Sequence, residues 1–356
     1  MRTYCTESKE GSVLRPFTQI TNPTIQDVAA LAEVSVATVS RVINQNSYVS
    51  LELATKVRDA MVVLNYHPSN LARSLRRQQT QTIGILVPEL GHPFFSQLAQ
   101  AMEQTLFKYK YYCLICSVEE DQAKEQAYIS MFLRQRVDGV IAVPTGGSEP
   151  DYNRLSKRDI PFVLVDRDLP DLKVNRVLCN NHQGAAKITR YLISLGHRSF
   201  AVVGESKYSQ SMKERMAGVS HTLSMDPSCV LVPQKRSLDL TDQFELGYKS
   251  ACVLLGQRER PTAIISLTDV IALGVIHAAV ERGLRVPDDV SVTGFDDIQL
   301  AAYVSPSLTT VHQPLRKMGQ TAAALLLAAL NSEDAARQTV NFDTELKIRQ
   351  STAGPT

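Results

Sequence analysis

The chain alternates twice between short apolar runs and longer amphipathic ones, and this rhythm restricts the architectures open to it. Ile83–Val87 reads as a buried strand and Phe94–Lys108 as a helix; Tyr112–Cys116, Gln122–Gln135 and Gly139–Val143 repeat the pattern. A further helix and the strand Phe162–Val165 follow. After Val177–Cys179 the cycle restarts with a helix over Gln183–Leu195, a strand over Phe200–Gly204 and a helix over Lys213–Leu223. Ala263–Ser266, Val270–Arg282 and Ser291–Phe295 then predict strand, helix, strand. Near-continuous apolar strands need cover on both faces, and in parallel sheets amphipathic helices supply it. The fold expected for residues 80–356 is an α/β body of two Rossmann-like lobes.

A different pattern precedes the body. Val28, Ala29, Ala32, Val39 and Val42 form an apolar seam between two short helices. Ser35 is placed to cap the second, because its hydroxyl can accept free N–H groups of the first turn. Leu53, Val57, Ala60, Met61 and Leu64 recur at helical spacing and predict a third helix. The outer side of the second helix carries small residues and Arg41. A helix-turn-helix that reads DNA needs this division, in which one side packs and the other enters the major groove. A plain helical hairpin would show the same seam, but the residues that follow favour DNA. Pro68 ends one element and Ser69 can cap another of about two turns. A helix that short is marginal in water, and Arg73, Arg76 and Arg77 point to phosphate as its partner. Residues 24–79 hold six cations against four anions, while the whole chain carries only +2, so the basic signal is local.

Together these features resemble the lac-repressor (LacI/GalR) family of bacterial transcription regulators. The resemblance runs from Thr24 through nearly the whole chain. It is carried by Thr-Ile-Gln-Asp-Val-Ala at 24–29, Val-Ser-Val-Ala-Thr-Val-Ser-Arg-Val-Ile-Asn at 34–44 and Asn-Tyr-His-Pro-Ser-Asn-Leu-Ala-Arg-Ser-Leu at 65–75. Arg-Val-Asp-Gly-Val-Ile at 136–141 and Val-Thr-Gly-Phe-Asp-Asp at 292–297 extend it into the body. Glu33 departs from the pattern, since the family often has glycine at that turn; a left-handed non-glycine residue there costs on the order of 1 kcal/mol.

The resemblance implies a helix-turn-helix headpiece at 24–67, a hinge helix and linker at 68–79 and a periplasmic-binding-protein-like body. Three crossovers between lobes are implied near residues 180, 312 and 340. The N-lobe would span 80–180 and 312–340, and the C-lobe 181–311 with the C-terminal end. Val36, Ala37, Thr38, Arg41 and Asn44 would contact DNA from the second helix, and Arg73 and Arg76 from the hinge. Leu75 matches the residue that wedges into the minor groove. A homodimer on a pseudo-palindromic operator is implied. The family's tetramers carry an extra C-terminal leucine-heptad helix, for which Gln350–Thr356 leave no room.

Ligands of open parallel sheets bind beyond the carboxyl ends of the strands. Ile83–Val87 leads to His92, Phe94 and Phe95; Phe162–Val165 leads to Asp166 and Arg167; Ala263–Ser266 leads to Thr268 and Asp269; Ser291–Phe295 leads to Asp296. Gln313 lies at an expected crossover. Aromatic rings cover the apolar face of a sugar, and Asp, Arg and Gln pair with its hydroxyls. The pattern is similar to ribose-binding members of this superfamily at Phe94, Phe95, Asp166, Arg167, Arg215, Asp296 and Gln313. His92 and Thr268 depart from it, where asparagine is common. Phe95 suits the core equally well, and Asp269 suits a helix cap as well as a ligand contact. The reading is a DNA-binding regulator controlled by an unmodified pentose or hexose, with no cofactor. A sugar phosphate, a purine or nucleoside, or a partner protein is the alternative co-effector.

Enzymatic readings find little support. No G-x-G-x-x-G follows the first strand, no Walker loop is present, and Gly204-Glu205-Ser206-Lys207-Tyr208 lacks the closing glycine of a nucleophile elbow. His197, beside Gly196, reads as a helix cap. Cys113 and Cys116 sit on an expected strand, where positions three apart face opposite sides, so a shared metal is not expected. No apolar run approaches the roughly 20 residues of a membrane span, and the start is no signal peptide. A cytoplasmic protein with a disordered tail over residues 1–23 is expected.

Overall fold

The computed structural model describes residues 23–44, 48–67, 79–146, 149–204, 209–233, 242–331 and 337–356. The expected tail (apart from Pro23), and the hinge residues Arg73, Leu75 and Arg76, lie outside them. The chain divides into two compact units, Met1–Gln78 and Gln79–Thr356.

The first unit contains three helices, α1 (Ile25–Leu31), α2 (Val36–Asn44) and α3 (Leu51–Val63). Thr24 and Asp27 form a reciprocal capping box at the start of α1, each side chain bonding the other's backbone N–H. Ser35 Oγ accepts the N–H of Thr38 at 3.1 Å and so caps α2. Between the two helices Glu33 sits at φ 54°, the left-handed turn that glycine would adopt at less cost. Val28, Ala29, Ala32 and Val39 meet Val57 and Ala60 of α3 in a small core.

The second unit holds two parallel sheets. Its first strands and helices are β1 (Thr82–Val87), α4 (Pro93–Lys108), β2 (Tyr112–Ser117), α5 (Gln122–Gln135), β3 (Gly139–Ala142), α6 (Glu149–Ser156), β4 (Phe162–Val165) and β5 (Asn175–Cys179). There follow α7 (Asn181–Ser194), β6 (Ser199–Val203), α8 (Gln210–Ser224), β7 (Val230–Leu231), α9 (Gln243–Leu255), β8 (Ala263–Ser266), α10 (Asp269–Glu281) and β9 (Ser291–Thr293). A 3-10 turn at Gln299–Ala302, β10 (Thr310–His312), α11 (Leu315–Asn331), β11 (Thr339–Phe342) and β12 (Glu345–Lys347) complete it.

The N-lobe sheet runs β11-β5-β4-β3-β1-β2 and the C-lobe sheet β7-β6-β8-β9. β10 and β12 pair antiparallel as a separate ribbon. The chain leaves the N-lobe sheet after Cys179, returns to that lobe through Gln313 into α11, and leaves again between Phe342 and Glu345. The inner strands of both sheets are covered on both faces, while the edge strands β2 and β7 keep exposed side chains. In the N-lobe, α4 and α11 cover one core and α5 and α6 the other. Gly84 of β1 shows how close that second layer lies: an added Cβ would stand 2.5 Å from the Phe132 ring. In the C-lobe, α9 and α10 cover one face and α7 and α8 the opposite one.

Candidate functional site

The headpiece presents one face of α2. Val36, Ala37 and Arg41 are exposed, while Val39 is fully buried against α3. Ala37 and Arg41 are four apart and share a side of the helix. Thr38 and Asn44 are placed differently. The Thr38 hydroxyl lies 2.9 Å from that of Ser35, within the cap, and the Asn44 amide bonds Ser40. Both serve the helix itself in this arrangement.

The cleft of the body is built at the carboxyl ends of β1, β4, β8 and β9. β4 leads into Asp166 at φ 65°, and the segment after β9 places Asp296 at φ 118°. Such backbone costs about 1–3 kcal/mol per residue and persists where neighbours enforce it. Here Asp166 N–H donates to Val177 O and Asp296 N–H to Val311 O, each at 2.9 Å, across to the strands that carry the crossovers.

Arg215 of α8 organises the C-lobe side. Its guanidinium lies 3.1 Å from Asp296 and donates to the Leu267 carbonyl at 2.7 Å and to Asn181 at 2.9 Å. It also stacks over the Phe295 ring at 3.9 Å. Gln313 donates to the same Asp296 oxygen at 2.8 Å. Burial nevertheless pushes the Asp296 carboxyl up to about 6, with Arg215 and Gln313 opposing. Four groups from four segments thus converge, all nearly inaccessible to solvent.

The N-lobe side differs from what the sequence suggested. Arg167 turns both terminal nitrogens onto Glu120, at 2.6 and 2.8 Å. That fork leaves only its Nε without a partner, 3.9 Å from Asp166. Asp166 receives no strong bond from either arginine. Its Oδ2 lies 3.5 Å from the Ser211 hydroxyl, and its Oδ1, like Gln313 Oε1, is buried with no partner. Burial raises the Asp166 carboxyl despite both guanidinium groups nearby. Phe94 and Phe95 meet edge to face at 5.0 Å and both belong to the N-lobe core.

His92 bridges the lobes. Its Nδ1 accepts the N–H of Phe94 at 3.2 Å, which caps α4 ahead of Pro93. The neutral ring therefore carries its proton on Nε2, which faces Gln243 Oε1 of α9 at 3.2 Å. Thr268 donates to the same Gln243 oxygen at 2.7 Å. Burial holds the imidazole below its usual value.

One assignment is revised and another is extended. Asp269 neither caps α10 nor points to ligand; Thr268 is the cap, with its hydroxyl accepting Ile271 N–H. The Asp269 carboxylate is fully buried and is occupied by Ile298 N–H and the Thr310 hydroxyl, which pin the loop carrying Asp296. His197 does cap α7, as expected, through its backbone N–H, which donates to Leu192 O at 3.2 Å just beyond the left-handed Gly196. Its ring joins Thr262, Ser291 and the carbonyl of Ala353, tying the C-terminal segment to the sheet. Cys113 and Cys116 pack into separate cores on opposite faces of their sheet, with burial raising the Cys113 thiol to about 12.

Gln243, Asn181 and Glu120 are the contributors that sequence reasoning missed. Gln243 had a visible signal: Asp242 caps the helix that follows, with Glu245 three residues on.

Residues 24–69 match the family described as bacterial regulatory proteins, lacI family, and residues 189–352 match the periplasmic binding protein-like domain. An HTH-type transcriptional repressor PurR from Aliivibrio fischeri is 34% identical over 338 residues, covering 92% of this chain and 98% of that protein. The lac repressor dimer bound to operator and an anti-inducer superposes with a TM-score of 0.79 at 27% identity, over 94% of this chain and all of that one. A LacI family regulator from Enterococcus faecium with bound ribose gives 0.68 at 27% identity, over 77% of this chain and all of that one. Headpiece, two-lobed body and relatives agree: the chain belongs to the lacI family of bacterial regulatory proteins and is a DNA-binding regulator of transcription.

Proposed function

We propose that the protein is a homodimeric, cytoplasmic repressor whose hold on its operator is set by a small neutral effector, a pentose or hexose, bound between the lobes. The observation that carries this reading is the pair of buried acceptors without donors, Asp166 Oδ1 and Gln313 Oε1. A polyhydroxylated ring supplies donors to both. The arginines are already engaged, Arg215 with Asp296 and Arg167 with Glu120, so the described cleft offers no spare guanidinium for a phosphate. A sugar phosphate is therefore disfavoured. The ribose found in the Enterococcus faecium neighbour supports the sugar reading. A purine or nucleoside is the second reading, because ring N–H groups would satisfy the same two acceptors.

Dimerisation is supported by apolar surface on the body. Phe107, Tyr109, Tyr112 and Leu114 are exposed around the edge strand β2, and Val253 and Val280 on α9 and α10. An edge strand with such surface invites a second copy. Leu75, Arg73 and Arg76 of the hinge, with Val36, Ala37 and Arg41 of α2, are the proposed DNA contacts.

The test is operator anisotropy with purified full-length protein, titrated with ribose and, separately, hypoxanthine. The effector should change operator affinity about 5–150-fold, the usual range of such coupling. Arg215→Ala should abolish the response and leave operator binding in place. If neither class binds, the cleft reading falls and a partner protein becomes the co-effector. Sedimentation showing monomers at micromolar concentration would remove the dimer.

A further inference from the structure

Beside the cleft, at the crossovers between lobes, lies a cavity of 490 Å³. Asp166 belongs to both. The other walls come from the ends of β5 and β11 and the first turns of α7 and α8. Of the twelve described residues that line it, four are carboxylates, Asp166, Asp168, Glu214 and Asp343, and five are amides; no lysine or arginine is among these described residues.

Two of these carboxylates have close partners. Asp168 is paired with Arg176, and Asp343 accepts the Asn180 amide at 2.6 Å. The remaining two are held more loosely among the described residues, with Arg167 Nε no nearer to Asp166 than 3.9 Å. Asp166 is 5% exposed and its Oδ1 has no partner. Glu214 takes only a long amide bond, 3.3 Å, from Gln210, besides a contact with Asn181. Burial and the neighbouring Asp166 raise its carboxyl. Of the two arginines near this corner, Arg167 forks onto Glu120 and reaches Asp166 only at 3.9 Å, and Arg215 pairs with Asp296 while holding the Asn181 oxygen. A buried carboxylate without a positive partner is costly, and a cation within reach reverses that cost. No group of three or more acidic, histidine or cysteine side chains among the described residues could hold a metal ion. The cavity walls instead offer scattered acceptors and amides, which suit the three donors of an ammonium group.

We propose that this cavity is an annex of the effector cleft that takes a protonated primary amine, and hence that the effector carries an amine substituent on its polar ring. The proposal rests on the cleft being the effector site, and it departs from an unmodified, neutral sugar in favour of one that carries an amine. Asp166 accepts one N–H through Oδ1, Glu214 a second, and an amide oxygen such as that of Asn181 or Gln210 a third.

The experiment uses the full-length protein and isothermal titration with 1,4-diaminobutane, alongside the uncharged 1,4-butanediol. The diamine should bind saturably with one site per chain, and the diol at least 10-fold more weakly. Glu214→Gln should weaken diamine binding about 10-fold without altering operator affinity. Ribose titration of the same protein reads the cleft separately, so failure of the cleft reading and failure of the annex are separable. Equal binding of diamine and diol, no binding of either, or diamine binding unchanged in Glu214→Gln would each overturn the proposal.

Discussion

Replacing Asp269 tests the architecture of the cleft most directly, because sequence and structure give it different roles. Its carboxylate is wholly buried, accepts Ile298 N–H at 2.8 Å and binds the Thr310 hydroxyl. Its backbone N–H donates to Phe295 O, so α10 and the Asp296 loop are joined twice over. Asp269→Ala strands a buried N–H and a buried hydroxyl. Each costs about 1–3 kcal/mol when left unpaired. The carboxylate's own desolvation offsets part of this, so the expected loss is about 2–4 kcal/mol. Asp269→Asn keeps the shape and one acceptor for Ile298, and should lose about 1 kcal/mol.

The sign with pH follows from the same burial. Desolvation, with Asp296 adding to it, raises the Asp269 carboxyl well above its usual value. The stability it contributes is complete below the unfolded carboxylate range and is lost as pH rises through the raised value. The Ala deficit should therefore be larger at acid pH than at pH 8. Urea unfolding of the full-length protein, followed by circular dichroism, measures it, with effector titration alongside. A variant with Asp269→Ala that kept the wild-type midpoint but lost its effector would refute the structural role and restore a direct ligand contact.

Other outcomes are expected elsewhere. Arg41→Ala should lower affinity for operator more than for random DNA, since a bidentate contact to guanine is worth about 1–3 kcal/mol of discrimination; equal losses in a competition binding assay would contradict a base-reading role. Gly274→Ala should destabilise the C-lobe by about 1–3 kcal/mol through overpacking, because its Cβ would fall 2.1 Å from the Phe244 carbonyl oxygen; an unchanged urea midpoint would show that α9 and α10 are further apart. The Asp296 carboxyl is raised to about 6, so wild type should lose stability relative to Asp296→Asn as pH rises from about 4 to 6; parallel curves across that window would place Asp296 in a more solvated site.

Much of this protein was legible before folding. Apolar strands alternating with amphipathic helices specify two covered parallel sheets, since each element must bury its apolar face somewhere. Ser35 and the seam from Val28 to Val42 specify the headpiece by local capping and helical period, and both are set by neighbours in sequence. The same holds for the cleft's address, because residues at the carboxyl ends of strands are fixed once the strands are.

What each of those residues does there was decided by partners far away in the chain. Arg167 and Glu120 are 47 positions apart, and their fork turns an expected ligand contact into an internal ion pair. Asp269 meets Thr310 from 41 positions away, and His92 meets Gln243 from 151. A buried polar side chain bonds whichever donor or acceptor lies within about 3 Å, and period and composition carry no record of that distance. Sequence determined which groups would reach the cleft. Only the packing of two lobes through three crossovers decided which are spent on one another and which, like Asp166 Oδ1 and Gln313 Oε1, remain open to a ligand.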